Sequence, residues 1–343
     1  MDAAEAGTTL DRIAFLLERQ NASSYRVKAF RRAAESVSAT SVDELVGRAA
    51  RGTLTALPGV GDTTAAVVEA CVSGEAPDYL TRLETEPWPG SDVDGGDLLP
   101  LLRGDLHTHS DWSDGGSPIE LMAATARALG RDYLALTDHS PRLTVANGLT
   151  AARLEKQLLL VEQLNASLAP FRILTGIEVD ILDDGTLDQS DELLGRLDVV
   201  VASVHSKLRM DRRSMTQRML TAVANPHTDV LGHCTGRMVA GSKNRPESEF
   251  DSTAVFSACR DYGVAVEVNS RPERLDPPRR LLAEAVALGC LLSVDTDAHA
   301  PGQLAWNVLG ASRVLESGAP VDTVVTTWPI ERVLEWTGTR STS

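Results

Sequence analysis

Apolar residues recur at helical spacing through the first part of the chain. Leu10, Ile13, Leu16 and Leu17 follow i, i+3, i+4 spacing, Tyr25, Val27, Phe30 and Ala33 begin a second amphipathic stretch, and Val42 to Ala50 form a third. A fourth helical run, Thr63 to Val72, follows Leu57-Pro58-Gly59-Val60-Gly61-Asp62 and is stopped by Ser73-Gly74. Residues 1–85 are therefore expected to be an all-helical domain. Residues 86–100, with Glu-Pro-Trp-Pro-Gly-Ser-Asp-Val-Asp-Gly-Gly-Asp, are rich in Pro, Gly and acid and read as a linker. Beyond them the pattern changes. Short apolar runs at Arg103–His107, Tyr133–Thr137, Arg172–Val179, Val199–Val204, Val230–Gly232, Val264–Val268 and Leu291–Val294 alternate with helical stretches such as Ile119–Leu129, Ala151–Leu168, Ser252–Tyr262 and Arg279–Leu288. Strand-helix alternation implies parallel strands joined by right-handed crossovers. Seven repeats across residues 101–340 predict an α/β fold, a (β/α)7 barrel, behind the small all-α domain.

Composition narrows the class. The chain has 343 residues, 43% hydrophobic and 24% charged, with no low-complexity tract, which excludes fibrous and largely disordered proteins. No window approaches the roughly 18 apolar residues of a membrane span, and the first twenty residues carry charges instead of a signal-peptide core, so the expected location is cytoplasmic. Cys71, Cys234, Cys259 and Cys290 form no C-x-x-C pair, which argues against a disulfide framework or thiolate zinc site. With 33 Lys+Arg against 48 Asp+Glu the net charge is −15, so a polyanionic partner needs a local basic patch or bound cations.

Histidines supply the strongest chemical signal. Metal-ligand residue types follow or end nearly every predicted strand: His107 and His109, Asp138-His139, Glu178, His205, His233, and Asp297 with His299. Barrel strands converge their C-terminal ends on one face, so these side chains should meet. His227 precedes its strand and reads as structural or supporting. Imidazole and carboxylate donors suit Zn, Mn or Fe, and the number of donors implies two or three divalent ions, with Glu178 the most plausible bridge. Such a centre activates water against phosphate esters. Cys234 reads as a small buried side chain.

The hairpin glycines let backbone amides approach a phosphate, the pattern of a helix-hairpin-helix turn. Arg26, Lys28, Arg31 and Arg32, with the amides of Gly59 and Gly61, are the candidate DNA contacts. Residues 1–90 nevertheless hold nine Lys+Arg against thirteen Asp+Glu, a net of −4.

Asp105-Leu-His107-Thr-His109-Ser, Ser113-Asp114-Gly, Leu136-Thr-Asp-His139-Ser, Gly176-Ile-Glu178, Ser203-Val-His205-Ser, Gly232-His233-Cys-Thr-Gly-Arg237 and Asp295-Thr-Asp297-Ala-His299 occur in order. They resemble the motifs of the PHP (polymerase and histidinol phosphatase) family. The resemblance is strongest to the C-terminal PHP domain of bacterial family-X DNA polymerases, through Gly-His-x-Thr-Gly-Arg and Glu267-Val-Asn-Ser-Arg-Pro-Glu-Arg-Leu-Asp. It implies a distorted seven-stranded barrel with a trinuclear site. By that resemblance His107, His109, Glu178 and Asp297 hold one ion, Glu178, His205 and His233 a second, and Asp114, His139 and His299 a third.

Residues 8–85 are similar to the N-terminal domain of the same polymerases, through Tyr25-Arg-Val-Lys-Ala-Phe30-Arg31-Arg32-Ala-Ala and Leu57-Pro-Gly-Val-Gly61. The nucleotidyltransferase palm that would lie between the two is missing, so polymerisation is not expected. No lysine follows the hairpin in Gly61-Asp-Thr-Thr-Ala-Ala-Val-Val-Glu-Ala, so imine-forming lyase chemistry is not expected either.

The expected function is a metal-dependent phosphoesterase acting on DNA 3′ ends or damaged sites, a 3′-to-5′ exonuclease or end-processing enzyme of repair. Glu178 and Asp297 would serve the reaction through the ions, and Arg237 and Arg274 would hold the phosphate; Arg271 and Lys207 are further candidates. Two alternatives stand beside it. One is a phosphatase of small phosphomonoesters, of the histidinol phosphate or nucleotide type, and the other is a non-catalytic DNA- or protein-binding module.

Overall fold

A computed structural model describes residues 3–240 and 244–340. The chain divides into two compact units, Met1–Asp92 and Val93–Ser343.

The first unit is helical: α1 (Ala6–Arg19), α2 (Ser24–Ser38), α3 (Val42–Arg51), α4 (Asp62–Val72) and α5 (Asp78–Thr85). The stripe Leu10, Ile13, Leu16 and Leu17 is fully buried against Phe30, Ala33 and Val68. The second stripe begins later than its spacing suggests, because Tyr25 is 84% exposed on the first turn of α2. Ser41 caps α3 by accepting from the Glu44 amide, and Gly52 ends it in the left-handed conformation. Gly59 carries the hairpin turn at φ +74°, where a Cβ would also lie 3.1 Å from the Arg32 Cβ.

The second unit opens on a 3-10 turn, Gly96–Leu101, which packs on α12 (Asn307–Ser317). Its start therefore falls inside the stretch that reads as linker, because Leu98 is buried in the barrel's apolar layer. Seven parallel strands follow in spatial order β1 to β7: β1 (Gly104–Thr108), β2 (Tyr133–Leu136), β3 (Arg172–Asp180), β4 (Val199–Ser203), β5 (Val230–Leu231), β6 (Ala265–Asn269) and β7 (Leu292–Asp295). Between them lie α6 (Ile119–Ala128), α7 (Ala151–Leu168), α8 (Asp191–Leu194), α9 (Arg212–Val223), α10 (Ser252–Tyr262) and α11 (Arg279–Ala287), with α13 (Ile330–Arg340) last. Apart from Arg172 and Thr175 of β3, the strands are buried along their length, as expected for a sheet covered on both faces.

The barrel is nearly closed, and side chains take part in the closure. Between β1 and β7 the Leu106 amide donates to Asp295 Oδ1 at 2.7 Å, and Thr296 Oγ1 donates to Asp105 Oδ2 at 2.6 Å. Backbone pairing resumes at Thr108 and Ala298, just where ligand-type residues begin. At the opposite end Trp328 and Val333 join Leu106, Tyr133, Leu174, Val199 and Val230 in one apolar cluster, so the C-terminal segment plugs the barrel floor.

Gly104 is required by this floor. A Cβ there would lie 1.9 Å from Tyr133 Cε2, and Tyr133 is held by its hydroxyl donating to the Trp328 carbonyl at 3.1 Å. Gly104→Ala should therefore lower the stability of the barrel by about 1–3 kcal/mol, read as a lower urea midpoint. An unchanged midpoint would contradict this role for the floor.

Candidate metal centre

The upper strand ends carry the site. Side chains two residues apart on an extended chain point the same way, which sends His107 of β1 and His109 just after it, and Glu178 and Asp180 of β3, into the barrel mouth. β3 is the longest strand, and a bridge between His139 and Glu178 carries its pairing with the β2 side past the end of β2. Asp297 adopts φ +53° while 2% exposed, a left-handed turn that aspartate tolerates and that commonly marks a working site.

These elements bring all nine candidate ligands together. Glu178 lies at the middle: Oε1 is 2.8 Å from His233 Nε2 and 3.2 Å from His205 Nε2, while Oε2 is 2.7 Å from His139 Nδ1 and 3.4 Å from His107 Nε2. His109 Nε2 is 3.3 Å from Asp297 Oδ1. Asp114 Oδ1 lies 3.4 Å from His139 Nε2 and 3.3 Å from His299 Nε2. Four overlapping donor groups result, each with donor atoms within 4.8 Å of one another: His109, Asp114, His139 and His299; His107, Glu178 and His233; His107, His109 and Asp297; His139, Glu178 and His205. The grouping differs from the expected one: His109 also reaches the Asp114 group, Glu178 is absent from the group of His107, His109 and Asp297, and the expected set of Glu178, His205 and His233 is split, with His233 grouped beside His107 and His205 beside His139.

The donors fit divalent ions. His107 Nε2, both ring nitrogens of His109 and both of His205 are buried without a hydrogen-bonding partner among the described residues. Burial of such groups costs about 1–3 kcal/mol each unless something pairs them, and a cation of borderline hardness suits an all-nitrogen and carboxylate set.

Electrostatics favour charged carboxylates here. Burial alone would raise the Glu178 carboxyl, but His205, His107 and His139 outweigh it and hold it well below the usual carboxylate range. Asp297 is likewise held well down against burial by Arg271, His109 and Arg274. His109 is pushed well below the ordinary imidazole value by burial, then by His299 and His139, which leaves it neutral and able to donate a lone pair.

Several residues hold the candidate ligands in place, and most of them are not singled out by the sequence pattern. Glu267, fully buried on β6, lies 2.6 Å from His107 Nδ1 and also accepts the His233 amide. It fixes the His107 ring with Nε2 facing the cluster. Its signal is an acid inside an otherwise apolar run, on the one predicted strand with no ligand assigned. Asp180 accepts the His205 amide at 3.1 Å, and Asn269 donates to Asp297 Oδ2 at 3.2 Å. Asp138 reads as ligand-type but is occupied by Ser110, Ser113 and Gln157, so it braces the loop below His139.

The arginines divide. Arg274 Nε lies 3.0 Å from Asp297 Oδ2, and Arg271 Nη1 reaches His299 Nδ1 at 3.0 Å. Arg237 is not brought to the ligands: its Nε donates to the Arg274 carbonyl at 3.0 Å and its Nη2 to the Leu275 carbonyl. Lys207 pairs with Asp183 at 2.5 Å. His227 sits before β5, away from the ligand face, beside Gly195. Cys234 is buried with its Sγ 3.7 Å from Asp276 Oδ1, and burial pushes its thiol well up.

The candidate DNA contacts of the helical unit also divide. Lys28 and Arg32 are exposed, and Arg26 is exposed with a bond to the Tyr79 hydroxyl at 2.8 Å. Arg31 is consumed by Glu18 and Asp11 at 2.9 Å each, and Glu18 is 3% exposed, so its role is to neutralise a buried acid. The Gly61 amide donates to Thr64 Oγ1 at 2.9 Å, capping α4, so it is not free for a phosphate. Gly59 borders a shallow cavity with Arg32 and Glu35.

Family models match a stretch of each unit. Residues 105–271 match the PHP domain, and residues 1–75 match a helix-hairpin-helix domain. The chain is 43% identical over 201 residues to "DNA polymerase/3'-5' exonuclease PolX" of Bacillus subtilis, a match that covers 59% of this chain and 35% of that protein. The chain thus spans about a third of that relative's length. It is 29% identical over 206 residues to a probable phosphatase of Thermoanaerobacter sp., covering 57% of this chain and 78% of that protein. Among solved structures, histidinol phosphate phosphatase from Lactococcus lactis, complexed with zinc, L-histidinol and phosphate, aligns at TM-score 0.50 and 18% identity over 64% of this chain and 95% of that one, a likeness of fold.

Because imidazole ligands must be neutral, ion content should fall with acidification. Ions retained after gel filtration should drop steeply between about pH 7 and pH 5, and Glu267→Gln should retain fewer ions than wild type at pH 7. Retention unaffected by pH would contradict a histidine-built centre.

Proposed function

Given that the chain carries a PHP domain and is a metal-dependent phosphoesterase, we propose that it hydrolyses DNA, as a 3′-to-5′ exonuclease or 3′-end-processing phosphodiesterase. The observation that carries this reading is the union of a PHP domain and a helix-hairpin-helix domain in one chain. The relative from Bacillus subtilis, named as a polymerase and 3′-5′ exonuclease, supports it. Between α5 and β1 the described residues form only short turns, which leaves no room for a polymerising domain.

Two or three divalent ions held by the four donor groups would supply Lewis-acid charge and activate water for attack on phosphorus. The chain's residues then have separate tasks. Glu178 offers both oxygens to different histidine groups, so it is the natural shared ligand. Glu267 orients the His107 ring, and Asp180 holds the His205 backbone amide with its carboxylate 3.5 Å from the ring. Arg274 and Arg271, 15% and 21% exposed at the rim, face Asp297 and can donate to non-bridging phosphate oxygens as charge gathers there. Lys28 and Arg32 are exposed cations of the helical unit that can meet a DNA backbone.

A second reading, a phosphatase of small phosphomonoesters, draws support from the Thermoanaerobacter relative and from the engagement of Arg31 and the Gly61 amide elsewhere, which withdraws both from phosphate. One experiment separates the two. Full-length protein loaded with Mn or Zn should shorten a 5′-labelled single-stranded oligonucleotide stepwise from its 3′ end, and Glu178→Gln or Asp297→Asn should lower the rate at least about a thousandfold, as expected when a group central to charge stabilisation is removed. Hydrolysis of p-nitrophenyl phosphate with no shortening of DNA would overturn the first reading in favour of the second.

A further inference from the structure

Resting on the DNA reading, we propose that an arginine-lined cavity beside the metal centre binds a second, non-scissile backbone phosphate of the oligonucleotide. The cavity has a volume of about 690 Å³ and is built by residues 237–239 and 245–250 after β5 together with the first turns of α9, α10 and α11. Arg212, Arg237, Arg245 and Arg280 line it, against Glu247 and Glu249. In a chain of net charge −15, four guanidinium groups against the two lining carboxylates and Asp251, which pairs with Arg212, still leave a local excess of positive charge. Guanidinium groups suit phosphate because their N–H donors match its oxygens in pairs.

The cavity is tied to the catalytic rim through one loop. Arg237 donates to the carbonyls of Arg274 and Leu275, and Arg274 lies 3.0 Å from the candidate ligand Asp297. A strand whose scissile phosphate lies at the ligand cluster thus finds the Arg237 wall beside it. The two places are distinct, so a ligand that fills both must carry two linked phosphates. That is the property of a polynucleotide and not of a phosphomonoester.

The cavity's own carboxylates occupy its cations in a way that an anion could replace. Arg245 is fixed by its Nε donating to the Gly236 carbonyl at 2.5 Å, and burial and then the charge of Arg274 lower its pKa. Within the cavity Glu247 serves as internal counter-ion, bonded to Arg280 and 3.9 Å from Arg237. Arg212 pairs with Asp251 at 3.2 Å, and the Arg212 and Arg280 side chains are 63% and 65% exposed. Exposed pairs of this kind are weak, so both arginines can exchange a carboxylate for a phosphate. Glu247 would then be a competitor of the substrate, a sign that a plain structural salt bridge does not share.

The test compares substrate lengths on the full, metal-loaded chain. Wild type should cleave a pentathymidylate with a kcat/KM about tenfold above that of the dinucleotide TpT, with the difference in KM. In Arg212→Ala/Arg280→Ala this preference should fall by about tenfold, and the salt dependence of oligonucleotide binding should become shallower by about 0.7 for each phosphate that is no longer neutralised. Glu247→Gln should act in the opposite direction and lower KM for the pentanucleotide. A length preference and salt slope unchanged in the double variant, or a raised KM in Glu247→Gln, would overturn the cavity's role while leaving DNA hydrolysis in place. Failure of wild type to cleave either substrate would remove both the DNA reading and this inference.

Discussion

The structure is organised around one buried carboxylate. Glu178 is 1% exposed and faces His107, His139, His205 and His233 through both of its oxygens. A charge so placed is costly unless it is neutralised by neighbours. Here the neighbours are imidazoles with unpaired ring nitrogens, an arrangement that cations between them would complete. The barrel provides what that arrangement needs: six of the seven strands deliver donors to one face, and a longer β3 carries Glu178 to the centre of that face.

The same constraint explains the surrounding layers. Two of the rings have a further carboxylate beside them, Glu267 at 2.6 Å from His107 and Asp180 at 3.5 Å from His205. Below the ligands the Asp105 and Asp295 side chains stitch β1 to β7. Below those, Tyr133 and Trp328 fill the floor, with Gly104 leaving space for the tyrosine ring. Rigidity at the floor and precision at the mouth are thus parts of one packing problem.

Much of this is legible in the sequence because two periodicities and one chemical type coincide. Apolar runs such as Val199–Val204 are followed by a histidine or acid, and the observed strands begin and end within a residue or two of those runs. What escapes is what depends on partners distant in the chain. Glu267 sits mid-strand, and nothing nearby in the sequence says that His107, 160 residues earlier, is its partner. Asp138 looks like a ligand beside His139 until Ser110, Ser113 and Gln157 claim it. Arg31 belongs to a basic run, yet a helix-helix contact places it on buried Glu18. The floor-closing Trp328 follows no strand or ligand pattern, so its role depends on where the chain end returns.

Glu178 as a ligand shared between ions is the central claim, and anomalous diffraction from crystals of the Mn-loaded protein tests it most directly. Two or three anomalous peaks are expected within the nine-residue cluster, with at least two of the ions bonded to the Glu178 carboxylate. Peaks that leave Glu178 uncoordinated, or a single ion bound elsewhere, would contradict it.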